Sequence, residues 1–211
     1  MRDSRSFEIV TRPNGKYRSL VRVAEPTVEP ISVLELQSHI GIDPSFTDDN
    51  IYLAGLISSA RYYVETVCDR TLVRSRWKMS LDFFPPWDIE LPRPPYSPGE
   101  VTVTYVPSDG VYTPILHTGY RIDPDSTPAC LRPQWNSQWP TARGAENDVV
   151  VTWYAGYGPD GVSIPQPIKS AMMFLCAGWF ANREAVVQGS LNPVPLAVSA
   201  LLGTVNWGQY K

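Results

Sequence analysis

The chain has 211 residues, of which 43% are hydrophobic, 11% aromatic and 18% charged; this is the composition of a folded protein with one core, or one core carrying an inserted module, and it excludes a disordered or fibrous chain. The formal net charge of −3 lacks the basic footprint of a protein that grips a phosphate backbone, so tight DNA binding is disfavoured. No apolar run approaches the ~18 residues of a membrane span, and Met1 to Val10 lacks the apolar stretch of a secretion signal, so synthesis in the cytoplasm without membrane association is expected.

Residues 1–22 hold Arg2, Arg5, Arg12, Lys16, Arg18 and Arg22 against Asp3 and Glu8. With the prolines that follow at Pro26 and Pro30, residues 1–30 read as an extended, basic arm with little self-supported structure. Ser32 then precedes Val33, Leu34, Leu36 and Ile40, and Glu35 stands three residues after it. That is a capping box, and it predicts a short helix through about His39 that stops near Gly41. Next, Thr47, Asp48 and Asp49 offer a cap and favourable negative charge to a longer helix, about Asp48 to Arg70. Its Leu53, Leu56, Ile57, Ala60, Val64, Val67 and Cys68 recur at three- and four-residue steps and must bury one face.

The period then changes to two. Trp77, Met79, Leu81 and Phe83 alternate with Lys78, Ser80 and Asp82, which predicts a half-buried strand with the large apolar groups on one side. Val101, Val103 and Tyr105 alternate with Thr102 and Thr104, and Asp109-Gly110 predicts a hairpin turn before Val111 to His117. Val149 to Tyr154 is the last strand, and long loops are expected at 85–98 and 123–147. Helical spacing returns after Pro165 and Pro167 with Ile168, Met172, Leu175 and Trp179, to about Glu184. Because a helix with one apolar stripe needs a partner, the two long helices are expected to pack together. The fold class is therefore α+β: a small antiparallel helical bundle (31–74 and 159–190) with an inserted antiparallel β module (75–158), an N-terminal arm (1–30) and a C-terminal segment (191–211). From Ala185 to Tyr210 there is no charged residue, which marks that last segment for docking on another surface.

Catalytic chemistry finds little support. Only His39 and His117 could act as imidazole bases. His39 falls at a helix end and His117 in a strand or loop, where a surface or capping role is expected. Cys68, Cys130 and Cys176 have no CxxC spacing and read as reduced thiols, and no metal-ligand cluster is present. Gly156, Gly158 and Gly161 follow a strand without the Gly-Lys-Ser/Thr ending of a phosphate loop, so a turn is expected. Asp48-Asp49 reads as capping rather than as an acid-base pair. No enzyme activity and no cofactor are expected.

Several stretches, in order, resemble the head-to-tail connector (adaptor, head-completion) proteins of long-tailed bacteriophages and phage-like particles. They are Ser32-Val33-Leu34-Glu35-Leu36, Ile40-Gly41-Ile42-Asp43, Leu56-Ile57-Ser58-Ser59-Ala60-Arg61 and Cys68-Asp69-Arg70-Thr71-Leu72. Trp77, Ile89 to Pro95, Tyr154-Ala155-Gly156-Tyr157-Gly158, Pro165 to Lys169 and Asn182-Arg183-Glu184 complete the set, which spans 30–190. The resemblance implies a virion protein of the neck, assembled as a ring that is commonly of twelve subunits. Such a ring sits between the portal protein and a stopper or tail-completion protein, and DNA passes through its lumen without sequence-specific binding.

Against that background Leu201, Leu202, Val205, Trp207 and Tyr210 are candidate contacts with the portal or a neighbouring subunit, the alternative being packing back on their own bundle. Arg12, Lys16 and Arg18 are candidate contacts of the N-terminal arm with a neighbour. Two other readings stay open: a glycan-binding neck or adhesion component that uses loop aromatics at Trp87, Tyr96, Trp135 and Trp139, and an accessory DNA-packaging factor with salt-sensitive DNA affinity.

Overall fold

The computed structural model describes residues 17–183 and 196–205. The chain divides into two compact units, Met1–Pro26 with Arg74–Tyr157 and Thr27–Val73 with Gly158–Lys211. The mixed α+β class and the antiparallel sheet agree with the reading of the sequence.

In the β unit, β1 (Ser19–Arg22), β2 (Ser75–Leu81), β4 (Thr102–Tyr105), β5 (Thr113–Ile115) and β8 (Val149–Ala155) form an antiparallel sheet in the order β1-β2-β8-β4-β5. Register makes the core. Leu20, Met79, Val151 and Val103 stand side by side across four strands, and Trp77 and Trp153 form the next row. These side chains are all but fully buried. A second antiparallel sheet, β3 (Ile89–Glu90), β7 (Cys130–Pro133) and β6 (Tyr120–Asp123) in the order β3-β7-β6, adds Ile89, Leu131 and Tyr120 to the same core. The Tyr120 hydroxyl donates to the carbonyl of Val101 at 2.6 Å, which satisfies its one buried polar atom.

Three details depart from the sequence reading. The basic N-terminal segment contributes β1, whose Leu20 and Arg22 point into the core. An inward arginine hides the alternation; it is tolerated because its guanidinium lies 5.0 Å from the Trp77 ring and donates to Glu25 at 3.1 Å. Secondly, Phe83 is not on the buried face. The strand ends at Leu81, Asp82 accepts from Arg18 and from the amide of Asn147, Phe83 is 62% exposed, and Phe84 instead stacks on Trp139 at 5.0 Å. Thirdly, the stretches expected as long loops hold β3 and β7, strands too short and too rich in polar neighbours to show a period.

The turn segment before β8 is fixed by one carboxylate. Asp148 accepts from Arg143 at 2.8 and 3.2 Å and from the amide of Ala145 at 2.6 Å. Above all the Arg143 hydrogen bond, and then the backbone donors, hold its carboxyl below the ordinary carboxylate value. Because the folded value is depressed, the stabilisation is fully present above the unfolded-chain value near ~3.9 and is lost as pH falls through the lower folded one. Asp148→Asn is therefore expected to be less stable than the parent at neutral pH, with the gap closing below about pH 4 in parallel acid titrations of the near-ultraviolet signal.

In the helical unit, α1 (Val33–Ile40) starts at Ser32 with the expected capping box: the Ser32 hydroxyl accepts from the Glu35 amide at 3.1 Å, and the Glu35 carboxylate accepts from the Ser32 amide at 2.6 Å. Gly41 ends it in the left-handed region at φ 75°. Gln37 is buried and donates to the carbonyl of Phe46 and to Asn50, pinning the connection to α2 (Asn50–Val67). The expected cap of α2 is not made: Asp49 stands at the cap position with no side-chain bond to the helix and accepts instead from Arg183 at 3.1 Å.

The second long helix, α3 (Gln166–Ala181), packs on α2 as the stripes require; α1 contacts both, and α4 (Leu196–Gly203) lies on α3. Gly161, ahead of α3, packs against the backbone of Pro30, where any Cβ would collide.

Candidate functional site

Among the described residues no arrangement for covalent or acid-base chemistry comes together. His39 packs edge-on against Phe174, with ring centres 5.5 Å apart, and His117 sits in a single 3-10 turn, Leu116 being its cap. All three cysteines are unpaired. Burial pushes the Cys68 thiol up and the Cys176 thiol up to about 12, which keeps both protonated and unreactive. No group of three or more His, Cys, Asp or Glu side chains is placed to hold a metal ion among these residues. The glycine-rich stretch after β8 is a turn: Gly156 has φ 125°, and Gly158 lies against Ser163.

What stands out is a surface. Helix α2 has two charged side chains, Arg61 and Glu65, and both are buried. Arg61 donates to Glu29 at 2.8 Å and to Glu65 at 3.3 Å, while the other Glu65 oxygen accepts from the Leu72 amide at 2.9 Å. The network ties the segment before α1 and the chain after α2 onto the same helix. With its charges turned inward, α2 presents outward Ile51 (89% exposed), Tyr52, Ala54, Gly55, Ser59 and Tyr62 (52% exposed). A solvated helix face ordinarily carries the charges. Gly55 has open space where a Cβ would stand, so nothing among the described residues calls for a glycine at mid-helix. Beside this face a groove of about 370 Å³ runs between Pro30, Ile31, Val33, Ala54 and Ile57.

The sequence carried a signal for this face that the stripe analysis passed over. Arg61 follows Ile57 by four residues and Glu65 follows Arg61 by four, so both charges lie on the apolar stripe.

The predicted terminal contacts fall partly outside the described residues, which is where Arg12, Lys16, Trp207 and Tyr210 lie. Arg18 is engaged within the chain by Asp82 at 2.8 Å and Glu146 at 3.3 Å. In α4, Leu202 is buried with Val198, Leu201 and Val205 are half-buried, and Leu196 is 81% exposed. The Val205 carbonyl accepts from Arg70 at 3.1 Å. This part of the C-terminal segment thus packs on its own bundle and keeps Leu196, Ala197 and Ala200 outward. Of the loop aromatics, Tyr96 and Trp139 are packed against the β core, whereas Trp87 and Trp135 are exposed.

No helix among the described residues is long and apolar enough to cross a membrane. No protein-family model matches the sequence, and a search of curated proteins finds no match. Solved structures do share the fold. A chain from the virion of a native gene transfer agent particle is 20% identical with a TM-score of 0.71, covering 88% of this chain and 93% of that one. A chain from the neck of an empty particle, computed with C6 symmetry, is 20% identical with a TM-score of 0.71, covering 89% and 94%. A chain from the neck of the native particle, computed with C12 symmetry, is 22% identical with a TM-score of 0.62, covering 89% and 94%. The α+β fold described above is therefore one that chains of phage-like particle necks also adopt.

Proposed function

We propose that this chain is a structural subunit of the neck of a tailed phage or phage-like particle, and that identical copies close into a ring. The observation that carries the reading is the fold similarity to neck chains over nearly the whole length of both proteins, one of them in a neck computed with C12 symmetry. In the finer reading the ring is the adaptor: one rim meets the portal, the other a stopper or tail-completion protein, and the lumen admits DNA. Its work is geometric, in keeping with buried thiols and separated histidines.

Rings of identical subunits are built from head-to-tail contacts, in which one surface of a copy meets a different surface of the next. The outward face of α2 suits such a contact. Over 18 residues, roughly 27 Å of helix, it exposes apolar and small side chains and no charge. Leu196 of α4, with Trp207 and Tyr210 of the C-terminal segment, is assigned to the portal or to a neighbouring copy, whereas the candidates Leu201, Leu202 and Val205 are engaged wholly or partly in their own bundle.

The test is incorporation. Ile51→Asp combined with Tyr62→Asp changes exposed positions and is expected to leave the melting temperature of the free chain within a few degrees of the parent. The same variant should be missing from, or strongly reduced in, particles assembled with it as the sole copy. Wild-type incorporation would remove α2 from the ring contact.

A further inference from the structure

The outer face of the five-stranded sheet has a charge pattern opposite to that of the chain as a whole. Side chains alternate along a strand, and the register puts Arg76 and Lys78 of β2, Thr152 and Tyr154 of β8, and Thr102 and Thr104 of β4 on the side away from the core. Arg74, just ahead of β2, joins them. Its guanidinium lies 4.2 Å from the Tyr154 ring centre and that of Arg76 lies 5.9 Å from it. Arg76 also donates to the Thr152 hydroxyl at 3.4 Å, and the Thr152 and Thr102 hydroxyls are 2.5 Å apart. Lys78 is exposed. No strand position on this face is Asp or Glu, although the whole chain has a net charge of −3. Its apolar members include three valines: Val21 opposite Lys78 and Val150 opposite Thr104, both half-buried, and Val23, just past β1 and hydrogen-bonded opposite Arg76, which is 51% exposed.

We propose that this face contacts the phosphate backbone of duplex DNA, without reading its sequence. Charge complementarity favours an anionic occupant: Arg74, Arg76 and Lys78 stand together, and Asp82, the carboxylate just past β2 on the same side, is paired with Arg18. The chemistry favours phosphate over an acidic protein surface. Guanidinium, ammonium and threonine hydroxyl groups are the usual donors to phosphate oxygens. A protein interface would centre on an aromatic or aliphatic anchor; here the tyrosine is overlaid by two guanidinium groups, and each of the three valines stands opposite a cation or a threonine. Three cations per chain make a weak contact that salt weakens further, which suits DNA in transit. The choice of DNA rests on the neck reading; the measurement does not.

The full-length chain is loaded on immobilised duplex DNA at low ionic strength, about 20 mM, and eluted with a salt gradient. The parent is expected to be retained, and Arg76→Gln with Lys78→Gln to elute at lower salt. Across salt concentrations the slope of log affinity against log salt should flatten by about 1.8, at ~0.9 per lost phosphate contact. Lys78→Gln alone, at an exposed position, is expected to shift elution by half as much and guards against a folding defect in the double variant. Arg5→Gln with Arg12→Gln and Lys16→Gln controls for the basic N-terminal segment.

Four results would overturn the proposal: parent in the flow-through, co-elution of parent and double variant, retention abolished by the N-terminal variant alone, or equal retention on immobilised polyglutamate. Any of them leaves the neck assignment standing, since that assignment is read from particles and not from DNA affinity.

Discussion

Replacing Glu65 with alanine is expected to destabilise the helical unit by about 3–5 kcal/mol, the cost of leaving one partner of a buried ion pair without the other. Glu65 and Arg61 are 3% and 5% exposed, and the Glu65 carboxylate also accepts the Leu72 amide. Alanine thus takes from Arg61 its buried partner and from the Leu72 amide its acceptor, while Glu29 still pairs with the guanidinium. Glu65→Gln is a sharper probe, because it keeps an acceptor for the Leu72 amide while removing the charge, and it should lose less than alanine does. Arg61→Met combined with Glu65→Leu should recover only part of the loss: an apolar pair of similar volume removes the uncompensated charge, but the Leu72 amide still lacks its acceptor. Urea unfolding followed by helical circular dichroism reads all three. A loss under about 1 kcal/mol for Glu65→Ala would show that the pair does not hold the segments around α2 together.

The second large effect lies in the β unit. Trp153 is fully buried in β8, directly opposite Trp77, which in turn has Arg22 and Arg93 over its ring at 5.0 and 5.4 Å. Trp153→Ala is expected to cost about 3–5 kcal/mol through lost burial and the cavity left behind. It also removes the ring that backs Trp77, and so loosens the seat of two buried arginines. Trp87→Ala, at an exposed position, should stay within about 0.5 kcal/mol of the parent. Near-ultraviolet circular dichroism during thermal unfolding separates the two; equal melting curves would contradict the core assignment.

How much of this was legible in the sequence follows from which signals are local. The capping box at Ser32 and Glu35, the stop at Gly41, the apolar stripes of α2 and α3 and the alternation in β2, β4 and β8 each need only their own neighbours, and each produced its element. The elements that were missed depend on distant partners. The core row completed by Leu20 exists only where β1 meets β2, and the inward Arg22 is acceptable only because Trp77 and Glu25 are there. The same holds for β3 and β7, two and four residues long, which no period can announce.

For the candidate site, two histidines and unspaced cysteines offered the sequence reading no catalytic pattern to follow. The outward face of α2 was within reach, because Arg61 and Glu65 fall on the apolar stripe, but an apolar stripe with charges in it reads as a weaker stripe until the charges are seen to pair inside. The cationic sheet face needed the register of three strands, since Arg76, Thr152 and Thr102 come from segments 26 to 76 residues apart.

The two units contribute differently to the proposed ring. In that proposal the helical unit would offer a neighbouring copy the outward face of α2, whose two charges are buried, and the β unit would offer a polar, cationic face. Both assignments depend on where the chain resides. Imaging of intact particles at the neck, with this subunit carrying a small tag at its N-terminus, decides that most directly. The account predicts a ring of tag density around the central channel between head and tail, one tag per subunit, with α2 at the boundary between adjacent copies. Mature particles whose neck lacks this polypeptide, or tag density confined to another part of the particle, would contradict it.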